Sequence, residues 1–431
     1  MRKVAFVLLL VGLCWAALPA QAVIGTVDEV PAATLLLPYF EVDLDNPNGV
    51  TTLFTINNAS ATAVLAHVTI WSDLSVHVLD FMVYLTGFDV VPINLRDVLV
   101  LGNVPQTASD GQDPMDTISP QGPISQDINF ASCNGYFPLP QVPARLLEHA
   151  QAALTGQFSD VLDGCAGQDL GDRIARGYVA VNTMSQCTVN WPGNVPGYFG
   201  AGGSGQATNQ NVLFGDYFLV DPSGNFAQGE PLVHIEASAT DPETSVPGEY
   251  TFWGRYVGWT AADNREPLTT NFASRYIDNV AFTGGTDLLV WRDSKVDQDA
   301  FPCPVIPGVR PSWYPLGQEQ VVIFDEEENP FVVPESPFSP AEEFVLLPFP
   351  AEANRTRVDG SDFPVPFEAG WLYLNLNTTV APAGANPPED PAAAQAWVTP
   401  IMSAQGRFSV GYSALQLDNA TNARHVLLPI F

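Results

Sequence analysis

Basic charge is what this sequence most lacks. Sixteen lysines and arginines stand against 47 aspartates and glutamates in 431 residues, and Lys3 and Lys295 are the only lysines. So negative a surface repels phosphate backbones and anionic headgroups, which excludes nucleic acid as a partner and favours solubility or association with cations. Histidine is also scarce: His67, His77, His149, His234 and His425 are the five, and none belongs to an H-E-x-x-H helix. No glycine-rich dinucleotide loop is present. Gly203-Ser204-Gly205 is followed by Gln206 where a nucleophile elbow needs glycine, and no apolar strand feeds it.

Long apolar runs are confined to the start of the chain. Arg2 and Lys3 precede the run Val4 to Leu18, and Ala20-Gln21-Ala22 offers small residues for cleavage. This layout predicts a signal peptide over residues 1–22, cut after Ala22, and a secreted or periplasmic mature protein. Leu13 before Cys14 does not fit a lipid-attachment site, so Cys14 is discarded with the peptide. No later segment reaches the roughly 18 to 20 apolar residues of a membrane helix, so no membrane span is expected. Removing two of the 16 basic residues leaves 14 against 47, a formal charge of −33.

Cys133, Cys165, Cys187 and Cys303 then remain. Outside the cytoplasm an even number favours disulfides, and their long intervals do not match a zinc knuckle. Three pairings exist; Cys133 with Cys165, which flank the one good helix, is preferred.

What the sequence has in abundance is alternation of period two. Val64, Ala66, Val68 and Ile70 share one face of a strand opposite Leu65, His67, Thr69 and Trp71; Leu79, Phe81, Val83 and Leu85 oppose Asp80, Met82 and Tyr84. Each strand is expected to have one packed and one partly wet face. Turn residues between such runs predict an immunoglobulin-like β-sandwich over 23–102. A loop or linker follows over 103–132, then a central β-rich domain over 133–301 containing a helix from Pro143 to Leu154, closed by Gly156. Residues 302–342 read as a Pro-rich acidic connector and 343–431 as a C-terminal β region. The fold class is therefore mainly β, antiparallel, with one short helix. Thirty-eight prolines argue against an outer-membrane barrel. The echo of Leu36-Leu37-Pro38-Tyr39-Phe40 in Leu346-Leu347-Pro348-Phe349 and Leu427-Leu428-Pro429-Ile430-Phe431 suggests three similar edge strands.

The runs Leu35 to Asp43, Gly49 to Ser60, Thr208 to Tyr217 and Thr283 to Asp293 resemble a group of uncharacterised secreted bacterial proteins, across most of the chain. The resemblance implies bacterial secretion and no particular activity.

Candidate sites are few. His234 and Glu236 fall on one face of a strand, a pair more at home in solvent or across strands than on a metal. Calcium has two acidic turns to choose from, Asp43, Asp45 and Asn48 before Gly49, and Asp293, Asp297 and Asp299 before Cys303; the alternative is solvated charge. Trp253, Arg255 and Trp259 share one face of a segment with Phe252 and Tyr256 on the other. The two tryptophans belong in a core, or else form a stacking platform for sugar rings. These residues predict a non-catalytic secreted β-sandwich with a structural, surface-associated or binding role and a glycan or cell-surface partner. The alternative is a carbohydrate-binding or glycoside-hydrolysing protein, whose paired carboxylates would leave no linear motif.

Overall fold

The computed structural model describes residues 30–107, 125–240, 251–254, 256–257, 263–278, 283–293, 299–304, 320–332, 349–358, 365–376, 395–404, 408–411 and 414–417. The expected signal peptide with its cleavage site, and Arg255, Trp259, Asp297 and His425, lie outside the described residues.

Among these residues the strands form four antiparallel sheets. The first is built on β1 (Thr34–Asp43), which pairs with β6 (Ile174–Met184) on one side and β10 (Val233–Ile235) on the other. Because β1 is interior, it is apolar on both faces: Leu35, Leu37, Phe40 and Val42 enter one core, Leu36 and Tyr39 another. Pro38 has no N–H to give the ladder, and the β1–β6 register slips between Leu37 and Phe40, where Pro38 falls. The expectation that this Leu-Leu-Pro run marks a sheet edge is therefore corrected for β1.

β3 (Val64–Ser72) and β4 (His77–Leu85) complete the first sheet in the order β10-β1-β6-β3-β4. The expected partly wet face is corrected for β3, while β4 keeps Asp80 partly exposed. β3 is buried along its whole length, because Leu65, Trp71, Met82 and Tyr84 lie in one apolar cluster with Tyr198, Trp253 and Tyr256.

The second sheet runs β5 (Val90–Asn94), β2 (Thr51–Asn58), β8 (Asp216–Asp221), β9 (Phe226–Pro231), with β7 (Leu213–Phe214) also on β2. Phe54, Ile56, Val91 and Tyr217 from this sheet share a core with Val68, Ile70, Phe81 and Val179 of the first. The sandwich opened by β1 to β5 thus takes its remaining strands from residues 174–235. Two helices close its end. Asn94 caps α1 (Leu95–Leu99) by accepting the Arg96 N–H, and α2 (Ala144–Leu154) buries Ala150, Ala153 and Leu154 before stopping at Gly156, whose φ is +69°.

The second sandwich pairs a third sheet, β15 (Ala353–Arg357), β12 (Gly285–Asp293), β17 (Gln395–Ala404) and β18 (Phe408–Gly411), with a fourth. That one runs β14 (Pro330–Val332), β13 (Gln320–Asp325), β16 (Ala369–Asn375), β11 (Asn271–Ile277) and β19 (Leu415–Gln416). Leu288, Val290 and Val398 face Phe272, Ile323 and Leu372 within it. The opposite face of the third sheet carries Leu289, Trp291, Trp397 and Ile401 into the aromatic cluster on the first sheet. Part of the expected connector over 302–342 is therefore a hairpin, β13–β14. Its acidic turn is ordered by Asp325, which accepts the backbone N–H groups of Glu327 and Asn329.

Both disulfides form, but not as preferred from sequence: Cys133 joins Cys187 and Cys165 joins Cys303. Cys165 and Phe301 exchange backbone hydrogen bonds of 2.9 and 3.0 Å, which delivers Cys303 to Cys165. Proximity along the chain to α2 decides nothing. Two disulfides fit an oxidising compartment, and no helix among the described residues is long and apolar enough to cross a membrane.

Candidate functional site: a cleft beside β4

The local origin of the site is a bulge. Ile70 pairs with Leu79 but Trp71 pairs with His77, so β4 carries one extra residue, Val78. On a regular strand residues three apart point to opposite faces; the bulge rephases β4 and puts His77 and Asp80 side by side. The His77 Nε2 lies 3.3 Å from one Asp80 oxygen, out of line for a hydrogen bond. His67 on β3 brings its Nε2 to 3.1 Å from the other oxygen, and its Nδ1 lies 3.0 Å from the Tyr198 hydroxyl. On its outer side His77 stacks on Trp191, the rings 4.0 Å apart and parallel within 1°.

Burial alone would raise the Asp80 carboxyl, but the hydrogen bond from His67 and the closeness of His77 outweigh it and hold the group at about 2. Burial lowers the His77 imidazole, against the pull of Asp80. The pair at neutral pH is thus an ionised carboxylate beside a neutral imidazole.

These groups line a cleft of about 930 Å³. Its walls are Val76–Asp80, Leu146 and His149 of α2, Val161 and Leu162, Tyr136, the 189–194 segment, Tyr256, and Asp299 with Ala300. Both disulfides brace it. Cys133–Cys187 joins the segment bearing Tyr136 to the one bearing Trp191, and Cys165–Cys303 joins the segment bearing Leu162 to the one bearing Asp299. Behind Tyr256 lies a buried polar network: Ser75 Oγ meets the hydroxyls of Tyr178 and Tyr256, and the Tyr256 hydroxyl donates to Glu352. Burial pushes both tyrosines well up, so they remain protonated donors.

One serine touches a histidine here. His149 Nε2 lies 3.1 Å from the Val78 carbonyl, which can only accept, so Nδ1 accepts from Ser159 Oγ at 2.7 Å. Ser159 is buried and its oxygen also accepts the Val161 N–H. The pair fastens α2 to β4 and to the 159–164 turn, and burial lowers the His149 imidazole. Its chemistry is that of a latch.

The residues singled out from sequence lie elsewhere, except Asp299. Trp253 is 1 % exposed and packs edge-on to Phe252 and Tyr256 in the aromatic core, so it is no platform. His234 is buried and accepts the Gly215 N–H, while Glu236 receives Asn211. Asp293 is fully buried and accepts from Gln395 at 2.7 Å. In the Asp43 turn, the Asp43 carboxylate accepts the N–H groups of Asp45 and Asn46. The turn's carbonyls at Asp43, Asn46, Gly49 and Val50 all accept from the Arg96 guanidinium, so a fixed side-chain cation holds the oxygens calcium would need. Among the described residues, no three acidic, histidine or cysteine side chains converge as a metal set.

Sequence reasoning missed His77, Asp80, Tyr136 and Trp191. A lone tryptophan in the polar turn Asn190-Trp191-Pro192-Gly193-Asn194 was the available signal; the bulge at Val78 was not.

Two buried carboxyls outside the cleft set an expected pH response. Burial raises Asp73 and Asp263 from 3.8 to about 6, against hydrogen bonds from Gln168 and the nearby Arg265 respectively. Each is raised in the folded state, so folding takes up protons between these values and stability grows as pH falls through about 6. The shift of about two units is worth roughly 3 kcal/mol per group. His77 and His149 act the opposite way, losing stability below the unfolded value of 6.5. Relief of the acidic self-repulsion sides with the carboxyls. The melting temperature is expected to be higher at about pH 5 than at about pH 8; a melting temperature that drops in calorimetry as the pH is lowered from about 8 to about 5 would contradict the assignment.

No protein-family model, curated protein or solved structure matches the chain.

Proposed function

We propose that the chain is exported with cleavage after Ala22 and works outside the cytoplasm as a non-catalytic binding protein, with the cleft beside β4 as its binding site. The observation that carries this reading is Trp191 held flat on His77 at the wall of a cleft that also presents Asp80. An aromatic ring gives a ligand contact area, and a fixed carboxylate orients it. The resemblance to secreted bacterial proteins agrees with export, as do two disulfides. The intact mass of the exported protein tests the first part: loss of residues 1–22 is expected, and retention of Met1 or a lipid on Cys14 would refute it.

The hydrolase reading keeps one specific support, because Asp80 and Asp299 line the same cleft. Against it, a general acid needs a raised carboxyl, and Asp80 is held at about 2. Trp191→Ala is expected to weaken a cleft ligand about 10- to 100-fold in titration calorimetry, the range of an aromatic anchor. Purified protein is expected to turn over no glycan, ester or peptide; turnover abolished by Asp80→Asn with Asp299→Asn would replace the binding reading with a hydrolase.

A further inference from the structure

We infer a second binding site, separate from the cleft: the outer face of the second sheet is a platform for an extended, neutral polysaccharide. Strand register fixes what stands there. Phe54 and Ile56 of β2 enter the core, so Leu53, Thr55 and Asn57 point outward. Beside them on β8 and β7 stand Phe218, Asp216 and Phe214, and on β5 Pro92 and Val90. Phe214 is 40 % exposed, Phe218 45 % and Val90 60 %. Phe218 leans across the sheet over Gly229 of β9, where a Cβ would come within 2.4 Å of its ring, so the glycine leaves the ring its place on the sheet. Phe88, just before β5, is half exposed at a φ of +57°, so the turn holds an aromatic ring in water against its backbone preference.

Phe214 and Phe218 are four residues apart on one face, about 13 Å along the strand direction, with Asp216 between them. The polar groups between the rings are already ordered. Asn57 Nδ2 donates to Thr55 Oγ1 at 3.1 Å, and Thr55 Oγ1 donates to one Asp216 oxygen at 2.8 Å. This leaves the other oxygen of the half-buried Asp216 to accept from a ligand, and Asn57, only 7 % exposed, has an Oδ1 without a partner. Ring, acceptor, ring is what a sugar chain uses: its C–H faces lie on the aromatics and its hydroxyls donate between them. A β-linked chain stays extended enough to touch both phenylalanines, whereas a coiled α-linked one turns away. Asp216 is the only charged side chain among the outward residues of these strands, in a chain of formal charge −31, so the face suits a neutral ligand and the surroundings repel a polyanion. From β5 to β9 is about 14 Å, which makes the platform roughly 200 Å², far below the roughly 800 Å² a side of a stable protein interface. A second copy, as acidic as the first, is therefore a poor occupant, and a bilayer would have to bury Asp216 and Asn57.

The test titrates the oxidised, full mature protein with cellohexaose, maltohexaose and hexagalacturonate. Cellohexaose is expected to bind at least about tenfold tighter than either of the others. Phe214→Ala and Phe218→Ala are each expected to weaken it about 5- to 30-fold, and Asp216→Ala about 5-fold. Hydrogen exchange is expected to slow over residues 213–220 on binding. Should Phe218→Ala fail to fold, Val90→Asp carries the test by setting a charge on the platform at an exposed position. No binding of cellohexaose, or equal binding of hexagalacturonate, would overturn the inference. So would cellohexaose binding that Trp191→Ala abolishes and the phenylalanine variants leave intact, which would assign the glycan to the cleft. A dimer in sedimentation that Phe214→Ala dissolves would overturn it in favour of a self-association surface.

Discussion

Replacing Cys165 and Cys303 together by alanine is expected to lower the melting temperature by about 6 °C. The two residues are 138 apart in sequence. Closing a loop of that length restricts the unfolded chain by roughly 5 kcal/mol at 25 °C. Unfolding entropy near 2.1 cal/mol/K per residue over about 400 residues gives roughly 0.85 kcal/mol/K, which converts the free energy to the stated shift. Cys165 is fully buried and its backbone pairs with Phe301, so its removal also loosens the segment carrying Asp299. Calorimetry of the double variant, with peptide mapping under non-reducing conditions, checks both the pairing and the size. A shift under about 1 °C, well below the chain-entropy value, or a recovered Cys133–Cys165 peptide, would refute it.

Arg265→Met is expected to cost about 3 to 5 kcal/mol. Arg265 is fully buried, and its guanidinium donates to the Asp263 carbonyl at 2.7 Å, the Thr208 carbonyl at 2.9 Å and Thr34 Oγ1. It also lies 4.8 Å over the Phe199 ring. Burial lowers its pKa to about 10, partly restored by Asp263, so it stays charged. Methionine fills the volume but strands the Asp263 carboxylate in the interior, where a charge without a partner is expensive. Arg265→Lys is expected to recover little, since one ammonium cannot reach three acceptors held in fork geometry. Adding Asp263→Asn to Arg265→Met is expected to restore part of the loss. Urea unfolding of the three variants decides the matter: a loss below about 1 kcal/mol would mean that the cation is dispensable.

The class of the fold was legible in alternation. The period-two runs at Val64–Ile70 and Leu79–Leu85 are β3 and β4, and Pro143 with Gly156 bracket α2. Layering was not legible, because His67 and Thr69 read as outward polar residues although both are buried with partners, Tyr198 and the Ala180 carbonyl. A buried polar residue with a remote partner looks like an exposed one until the partner is known. The cleft was hidden for a second reason. His77 and Asp80 share a face only through one extra residue in β4, and Trp191 reaches them from more than 100 residues away. The cysteines bridge as expected, but the preferred Cys133–Cys165 pairing failed for the same reason, since the Cys165–Phe301 bridge that selects Cys303 is a tertiary contact.

The position of β1 between β6 and β10 bears on how the protein is made. Thr34 meets Asn182, its hydrogen-bond partner, across 148 residues, and only β3 and β4 in that sheet are joined by a short turn. During vectorial synthesis the Leu35-Leu36-Leu37 segment emerges long before either neighbour exists, so its ladder donors and leucines stay open while some 200 residues follow. High contact order of this kind makes the nascent chain slow to fold and prone to mispair. An unfinished chain is therefore translocation-competent for longer, and a holdase that shields β1 until residue 235 has appeared is expected to raise the yield of native protein.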